Sequence, residues 1–244
     1  MSGFQAGLDG VTFTSNGRKL LGGFYRSAGT APRPTAVLLH GTPGLEKHLD
    51  IAYRLRDLGW NCLYFHFRGS WGSEGPFSFA GLPDDAGAAV DWALRQPSVD
   101  KSRVALVGGA MGGHAALLHG ATDPRVRAVA AICPLVDPKG FEVTERMAEE
   151  FAPLLNGVTQ RDLLEQWKSV LSLSGRLRSL ASRPVLLVTA DRDELFPPPH
   201  YAALVAELPE LRWERSADGD HAFSTCRPWL VRTVTTWLVA ALGS

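Results

Sequence analysis

The turn Gly108-Gly109-Ala110-Met111-Gly112-Gly113 follows four apolar or small residues, Val104 to Val107, and precedes the apolar helical run His114 to His119. Strand, sharp glycine turn and helix form the context of a G-x-S-x-G nucleophile elbow. Such a turn is strained. Its central residue sits where a side chain is normally disfavoured, and flanking glycines let strand and helix pass close together. The central residue here is Ala110, so the frame is intact and the hydroxyl it would present is missing. A dinucleotide loop would need G-x-G-x-x-G, which fits only loosely and lacks a strand-end acid about 20 residues on. A P-loop would need Gly-Lys-Ser/Thr, which is absent. The remaining alternative is a structural turn, and the rest of the chain decides between the two.

Acyl transfer needs, besides a nucleophile, a base, an acid to orient it and an oxyanion hole. His221, in Gly219-Asp220-His221-Ala222-Phe223, lies on a late loop. A neutral imidazole there can take a proton from a hydroxyl and return it to a leaving group. His48 is expected on a helix, His66 in a strand, and His114 and His119 on the helix after the elbow, so structural roles suit them better. Acids available to orient His221 are Asp191, Asp193, Glu194 and Asp220. For the oxyanion hole, Met111 offers its backbone N–H at a helix N-terminus, where the dipole also helps. The loop after His40-Gly41 offers the other, with Thr42 the best placed.

These groups need a scaffold that brings distant segments together. Val11–Thr14 and Lys19–Tyr25, around Ser15-Asn16-Gly17, predict an antiparallel hairpin at a sheet edge. Apolar strands are expected at 35–39, 61–67, 104–107, 126–133 and 184–189, with a further strand at 211–215. Helices with one apolar face are expected at 45–58, 86–94, 201–208 and near the C-terminus. Strands that are apolar throughout and alternate with helices predict a mostly parallel, doubly wound α/β sheet covered on both faces. Ligands in such folds bind beyond the carboxyl ends of the strands. The loops after Leu39, Val107, Thr189 and Arg215 all lie at such ends, which lifts the elbow above a mere turn. One segment, Leu135 to Ser182, lacks a buried strand. It offers two amphipathic helices instead. One carries Met147, Phe151, Leu154 and Leu155. The other carries Leu163, Leu164, Trp167, Val170 and Leu171 behind a capping-box-like Thr159-x-x-Asp162. It reads as a small helical cap (135–182) inserted into one domain spanning 1–244. Met147, Phe151 and Trp167 would then line a substrate pocket.

The 244 residues are 45% hydrophobic and 20% charged with a formal net charge of +0, which gives no electrostatic footprint for nucleic acid or a membrane surface. No stretch is long and apolar enough to span a bilayer, and Met1 to Ala6 has the features of no secretory signal. Cys62, Cys133 and Cys226 are odd in number, so reduced thiols and a cytoplasmic location are expected. No His/Asp/Cys cluster has metal-ligand spacing, and no cofactor is implied. The expected partner is a small ester or amide, and a homodimer is compatible with the sequence.

Taken together, His40-Gly41-Thr42-Pro43-Gly44, Gly108-Gly109-Ala110-Met111-Gly112 and the pair Asp193 with His221 resemble the α/β-hydrolase superfamily over nearly the whole chain. The resemblance is nearest to the compact esterase and peptidase-like members related to dienelactone hydrolases and the prolyl oligopeptidase catalytic domain. The Gly/Ser loop Arg68 to Gly75 is similar to the family's loop at that place. The resemblance implies the order elbow, acid, histidine. It selects Asp193 as the acid, four residues before Pro197 as in the family pattern. It implies a serine hydrolase cleaving carboxylic esters through an acyl-enzyme; a peptidase or amidase would use the same groups. Ala110 departs from the pattern. A deliberate Ser→Ala substitution and a natural pseudoenzyme that binds without turnover both account for it. Free drift would damage more than one part, so the intact remainder favours the substitution.

Overall fold

The computed structural model describes residues 3–141 and 143–243; Met1, Ser2, Glu142 and Ser244 lie outside the described residues. The chain opens with strands β1 (Gly7–Ser15) and β2 (Arg18–Arg26). Asn16 and Gly17 between them both have positive φ, 46° and 76°. That two-residue turn twists in the sense of the flanking strands. The order then runs β3 (Arg33–Leu39), α1 (Leu49–Asp57), β4 (Asn61–Phe65), α2 (Leu82–Leu94), β5 (Val99–Gly109), α3 (Met111–Thr122) and β6 (Val126–Ile132). After it come α4 (Glu145–Phe151), α5 (Gln160–Trp167), β7 (Val185–Ala190), α6 (Ala202–Glu207), β8 (Arg212–Ser216) and α7 (Arg227–Leu242).

All eight strands form one sheet in the order β1-β2-β4-β3-β5-β6-β7-β8. β1 with β2 and β2 with β4 pair antiparallel, and the remaining pairs are parallel. This is the α/β-hydrolase arrangement, with the antiparallel hairpin at one edge. Alternate residues of each central strand enter opposite cores. Val37, Leu39 and Leu106 pack with Ala86, Val90, Ala115 and Leu117 of α2 and α3. Ala36, Leu38 and Val107 pack with Ile51 and Leu55 of α1 and Leu230, Val234 and Leu238 of α7. Each fully buried Val or Leu contributes about 1.5–3 kcal/mol, so strands apolar on both sides sit at the sheet centre and hold their carboxyl ends rigid. No helix among the described residues is long and apolar enough to cross a membrane.

Segment 135–182 joins β6 to β7 through α4 and α5. Thr144 caps α4 by accepting from Met147 N–H, and Thr159 and Asp162 form the expected capping box on α5. The segment leans on the loop after β4. Asn156 N–H donates to Gly69 O at 2.7 Å, and Phe77 N–H donates to Asn156 O at 2.9 Å. Gln166 both accepts from Phe79 N–H and donates to Phe77 O.

Several boundaries differ from expectation. α1 begins at Leu49, so Leu45 is exposed and His48 precedes the helix in a left-handed conformation. β4 ends at Phe65, which leaves His66 outside it. α5 stops at Trp167, so Leu171 faces solvent; α4 stops at Phe151, and Leu154 is exposed. Cys133 lies past β6 with φ 40°.

Candidate active site

Ala110 connects β5 to α3 with φ 48° and ψ −116°. A non-glycine residue in that region costs about 1–3 kcal/mol and persists only when its surroundings impose it. Those surroundings are visible. Ala110 N–H donates to Ile132 O at 2.9 Å, and its carbonyl accepts from His114 N–H at 3.0 Å. A methyl group on Gly112 would lie 2.1 Å from Leu39 O, and one on Gly108 would lie 2.3 Å from Gly112 O. The flanking glycines are therefore demanded by close backbone approach rather than by φ.

The loop after β3 closes against this turn. A methyl on Gly41 would lie 3.2 Å from Ala110 Cβ, so the Gly41-Thr42 backbone runs beside position 110. His40 brackets that loop. Its Nδ1 lies 2.7 Å from Gly41 O, and its Nε2 accepts from Phe67 N–H at 3.2 Å, so the ring proton sits on Nδ1. Burial lowers its pKa to about 3, against the raising effect of the Gly41 hydrogen bond. Met111 begins α3, where the first N–H groups lack intrahelical acceptors. Met111 and Thr42 both line the cavity over Ala110.

Asp193 and His221 meet across the loops after β7 and β8. His221 Nδ1 lies 3.0 Å from Asp193 Oδ1 and 2.9 Å from Oδ2. The carboxylate also accepts from Leu195 N–H at 2.8 Å and Phe196 N–H at 2.9 Å. Burial pushes the Asp193 carboxyl up, but the bonds from His221 and these two N–H groups outweigh it and hold the carboxyl below its ordinary range. With Nδ1 donating to a carboxylate, Nε2 of a neutral His221 is free to accept a proton. The other acids go elsewhere: Asp191 pairs with Arg215 at 2.8 Å, and Asp220 accepts from Ser224 N–H. Glu194 accepts from the His221 backbone N–H at 3.3 Å.

Ala110, Met111, Thr42 and His221 all face one cavity of about 250 Å³. Met147, Phe151 and Trp167 line it too, so segment 135–182 closes over the carboxyl ends of the strands. Trp167 donates from Nε1 to Phe141 O at 3.1 Å and makes edge contacts with Phe79 and Phe141; Phe141 meets Phe196, and Phe196 meets His221. This aromatic wall was only partly legible in sequence. Phe79 opens a single 3-10 turn before α2 and Phe141 follows another, both too short to show periodicity, and Phe196 is placed by the turn that Asp193 organises. His48 was assigned to a helix with a structural role; instead it lines the cavity beside Gly109. His114 and His119 lie behind the elbow, bonded to Leu135 O and Asp123.

Residues 50–244 match the prolyl oligopeptidase family. An uncharacterized protein of Mycobacterium tuberculosis is 30% identical over 206 residues, covering 84% of this chain and 68% of that protein. A thiohydrolase of Arthrinium phaeospermum is 31% identical over 141 residues, 54% of this chain and 45% of that one. Among solved structures, the α/β hydrolase GrgF from Penicillium sp. superposes with a TM-score of 0.80 at 19% identity, covering 98% of this chain and 100% of that one. With its sheet order and its carboxyl-end cavity, the chain belongs to the prolyl oligopeptidase family of α/β hydrolases.

Proposed function

We propose that this chain is a serine-type hydrolase of carboxylic esters whose nucleophile position is occupied by Ala110. The observation that carries the reading is the pairing of a strained elbow at Ala110 with a carboxylate-held His221 on the same cavity. With serine at position 110, the hydroxyl oxygen would attack the ester carbonyl while His221 Nε2 takes its proton. The N–H groups of Met111 and Thr42 would receive the developing oxyanion. His221 would then give the proton to the departing alcohol, leaving an acyl-enzyme that water resolves by the same steps in reverse. Alanine has no lone pair to donate, so this chain would bind and not turn over. The small, aromatic cavity supports an apolar acyl ester over an extended peptide. That a similar protein is a thiohydrolase also suits acyl transfer.

The test is Ala110→Ser assayed on p-nitrophenyl esters of increasing acyl length. Removing the nucleophile from a comparable protease lowers kcat by about 2 × 10⁶, or about 8–9 kcal/mol of barrier. Restoration should therefore exceed about 10⁴-fold over the unaltered chain. A folded Ala110→Ser protein with an unchanged rate would contradict the proposal.

A further inference from the structure

The loop after β4 turns sharply at Ser70 to Ser73, where Ser73 N–H donates to Ser70 O at 3.0 Å. The two central residues, Trp71 and Gly72, have φ 49° and 90°. Such a turn favours Gly, Asn or Asp at both positions, so a tryptophan there is held against backbone strain. Its indole is tied to the loop after β3. Nε1–H donates to Pro43 O at 3.0 Å, and the Lys47 ammonium lies 4.1 Å above the ring centre. Gly44 passes between two rings: a methyl on it would lie 2.5 Å from Trp71 Nε1 and 3.0 Å from His40 Cε1, and its φ of 97° also favours glycine. The turn is braced from β2. Ser73 Oγ donates to His66 O at 2.7 Å and accepts from Leu21 N–H at 3.0 Å, and Glu74 N–H donates to Lys19 O at 2.8 Å. Thr42 is thus flanked by two fixed carbonyls, Gly41 O beside His40 Nδ1 and Pro43 O beside Trp71 Nε1. Trp71 itself faces a separate surface groove with Arg18 and Leu154, so it reaches the cavity only through this loop.

We propose that Trp71 is a positioning residue for the oxyanion hole: its Nε1–H holds Pro43 O so that the Thr42 N–H stays aimed at the oxygen of the reacting carbonyl. The inference rests on the ester-hydrolase reading, because it concerns one donor of that site. A donor fixed in advance stabilises developing charge without reorganising as the charge appears. Without the indole N–H, the buried Pro43 carbonyl loses its partner, and the backbone around Thr42 is free to turn toward other donors. The loss then falls on the transition state, where the oxyanion forms, and not on the bound ester.

The test compares p-nitrophenyl hexanoate with its thiono analogue, in which sulfur replaces the carbonyl oxygen. Sulfur is larger and a weak acceptor, so the thiono ester gains little from donors aimed at an oxygen. The ratio of the two kcat/KM values therefore reads the oxyanion hole, and a change in packing alone would not move it. In the Ala110→Ser background, Trp71→Phe keeps a ring and loses the donor. It should lower the oxo-to-thiono ratio by about 3- to 10-fold, the range for one lost neutral hydrogen bond. Trp71→His, neutral at about pH 8, carries Nε2 as many bonds beyond Cβ as the indole Nε1 and should recover most of the ratio. Affinity of the unaltered Ala110 chain for methyl hexanoate, measured by calorimetry, should change by less than about twofold on Trp71→Phe, since ground-state binding is untouched. An unchanged ratio in folded Trp71→Phe, or an equal loss in Trp71→His, overturns the proposal, while turnover by Ala110→Ser leaves the hydrolase reading intact. An Ala110→Ser protein inactive on both esters would instead overturn the hydrolase reading and this inference with it.

Discussion

Lowering the pH from 7.5 to 5.5 should destabilise this protein through three buried imidazoles. Burial lowers the pKa of His40 and His48 to about 3 and of His114 to about 4. In the unfolded chain each titrates near about 6.5. The folded values lie below the unfolded ones, so between them the unfolded state binds more protons, and stability falls as pH falls. Above about pH 7 the three are neutral in both states and cost nothing. At pH 5.5 each contributes a loss of about 1.4 kcal/mol, from RT ln(1 + 10) with unfolded pKa about 6.5, or about 4 kcal/mol for the three. Against a total of about 5–15 kcal/mol, that is a large fraction. Urea unfolding at the two pH values should show the midpoint dropping by more than about 1 M, given slopes of about 1–3 kcal/mol/M. In His114→Gln the loss between the two pH values should shrink by about 1.4 kcal/mol, whatever the variant does to absolute stability. Equal stability at pH 7.5 and 5.5, or an undiminished pH effect in His114→Gln, would refute the reasoning.

In the Ala110→Ser background, Asp193→Asn should lower kcat by about 10³–10⁴ through the wrong imidazole tautomer, whereas Asp191→Asn, paired with surface Arg215, should change it less than about threefold. Equal losses would reassign the acid. In the same background, Phe151→Ala and Trp167→Ala should change relative rates across an acyl chain-length series, since both line the cavity; proportional loss on every ester would mean packing alone. Asp85 is buried and accepts four hydrogen bonds from Arg68, one from its backbone N–H and three from its guanidinium, and so fixes the loop after β4. Asp85→Ala, which strands that guanidinium, should cost about 3–5 kcal/mol in urea unfolding; a cost under about 1 kcal/mol would contradict this.

What could be read from the residues alone follows from which forces act locally. Wholly apolar strands and glycine-flanked turns are local signals, and they placed the parallel sheet, the elbow and the carboxyl-end loops. Strand order is not local, and the antiparallel pairing of β2 with β4 emerged only in three dimensions. Asp193 and His221 were paired by family pattern, and their rings and oxygens meet across 28 residues of chain. His48 was misplaced because the run from Leu45 to Leu58 has helical spacing throughout. Nothing in that spacing reports that Glu46 accepts the His48 N–H and that Arg227, 179 residues away, faces its ring. Nothing in the sequence sets Gly109 apart from the neighbouring glycines; in the fold a methyl there would meet a side chain 61 positions earlier.

The central claim is that position 110 is a nucleophile position served by His221. A fluorophosphonate probe reads it directly, because phosphonylation requires a hydroxyl activated by the neighbouring base. Intact mass and peptide mapping should show one adduct on Ala110→Ser, located at position 110, and none on the unaltered chain. The adduct should be lost when His221→Ala is added. A folded Ala110→Ser protein that takes no probe at position 110 would contradict the account.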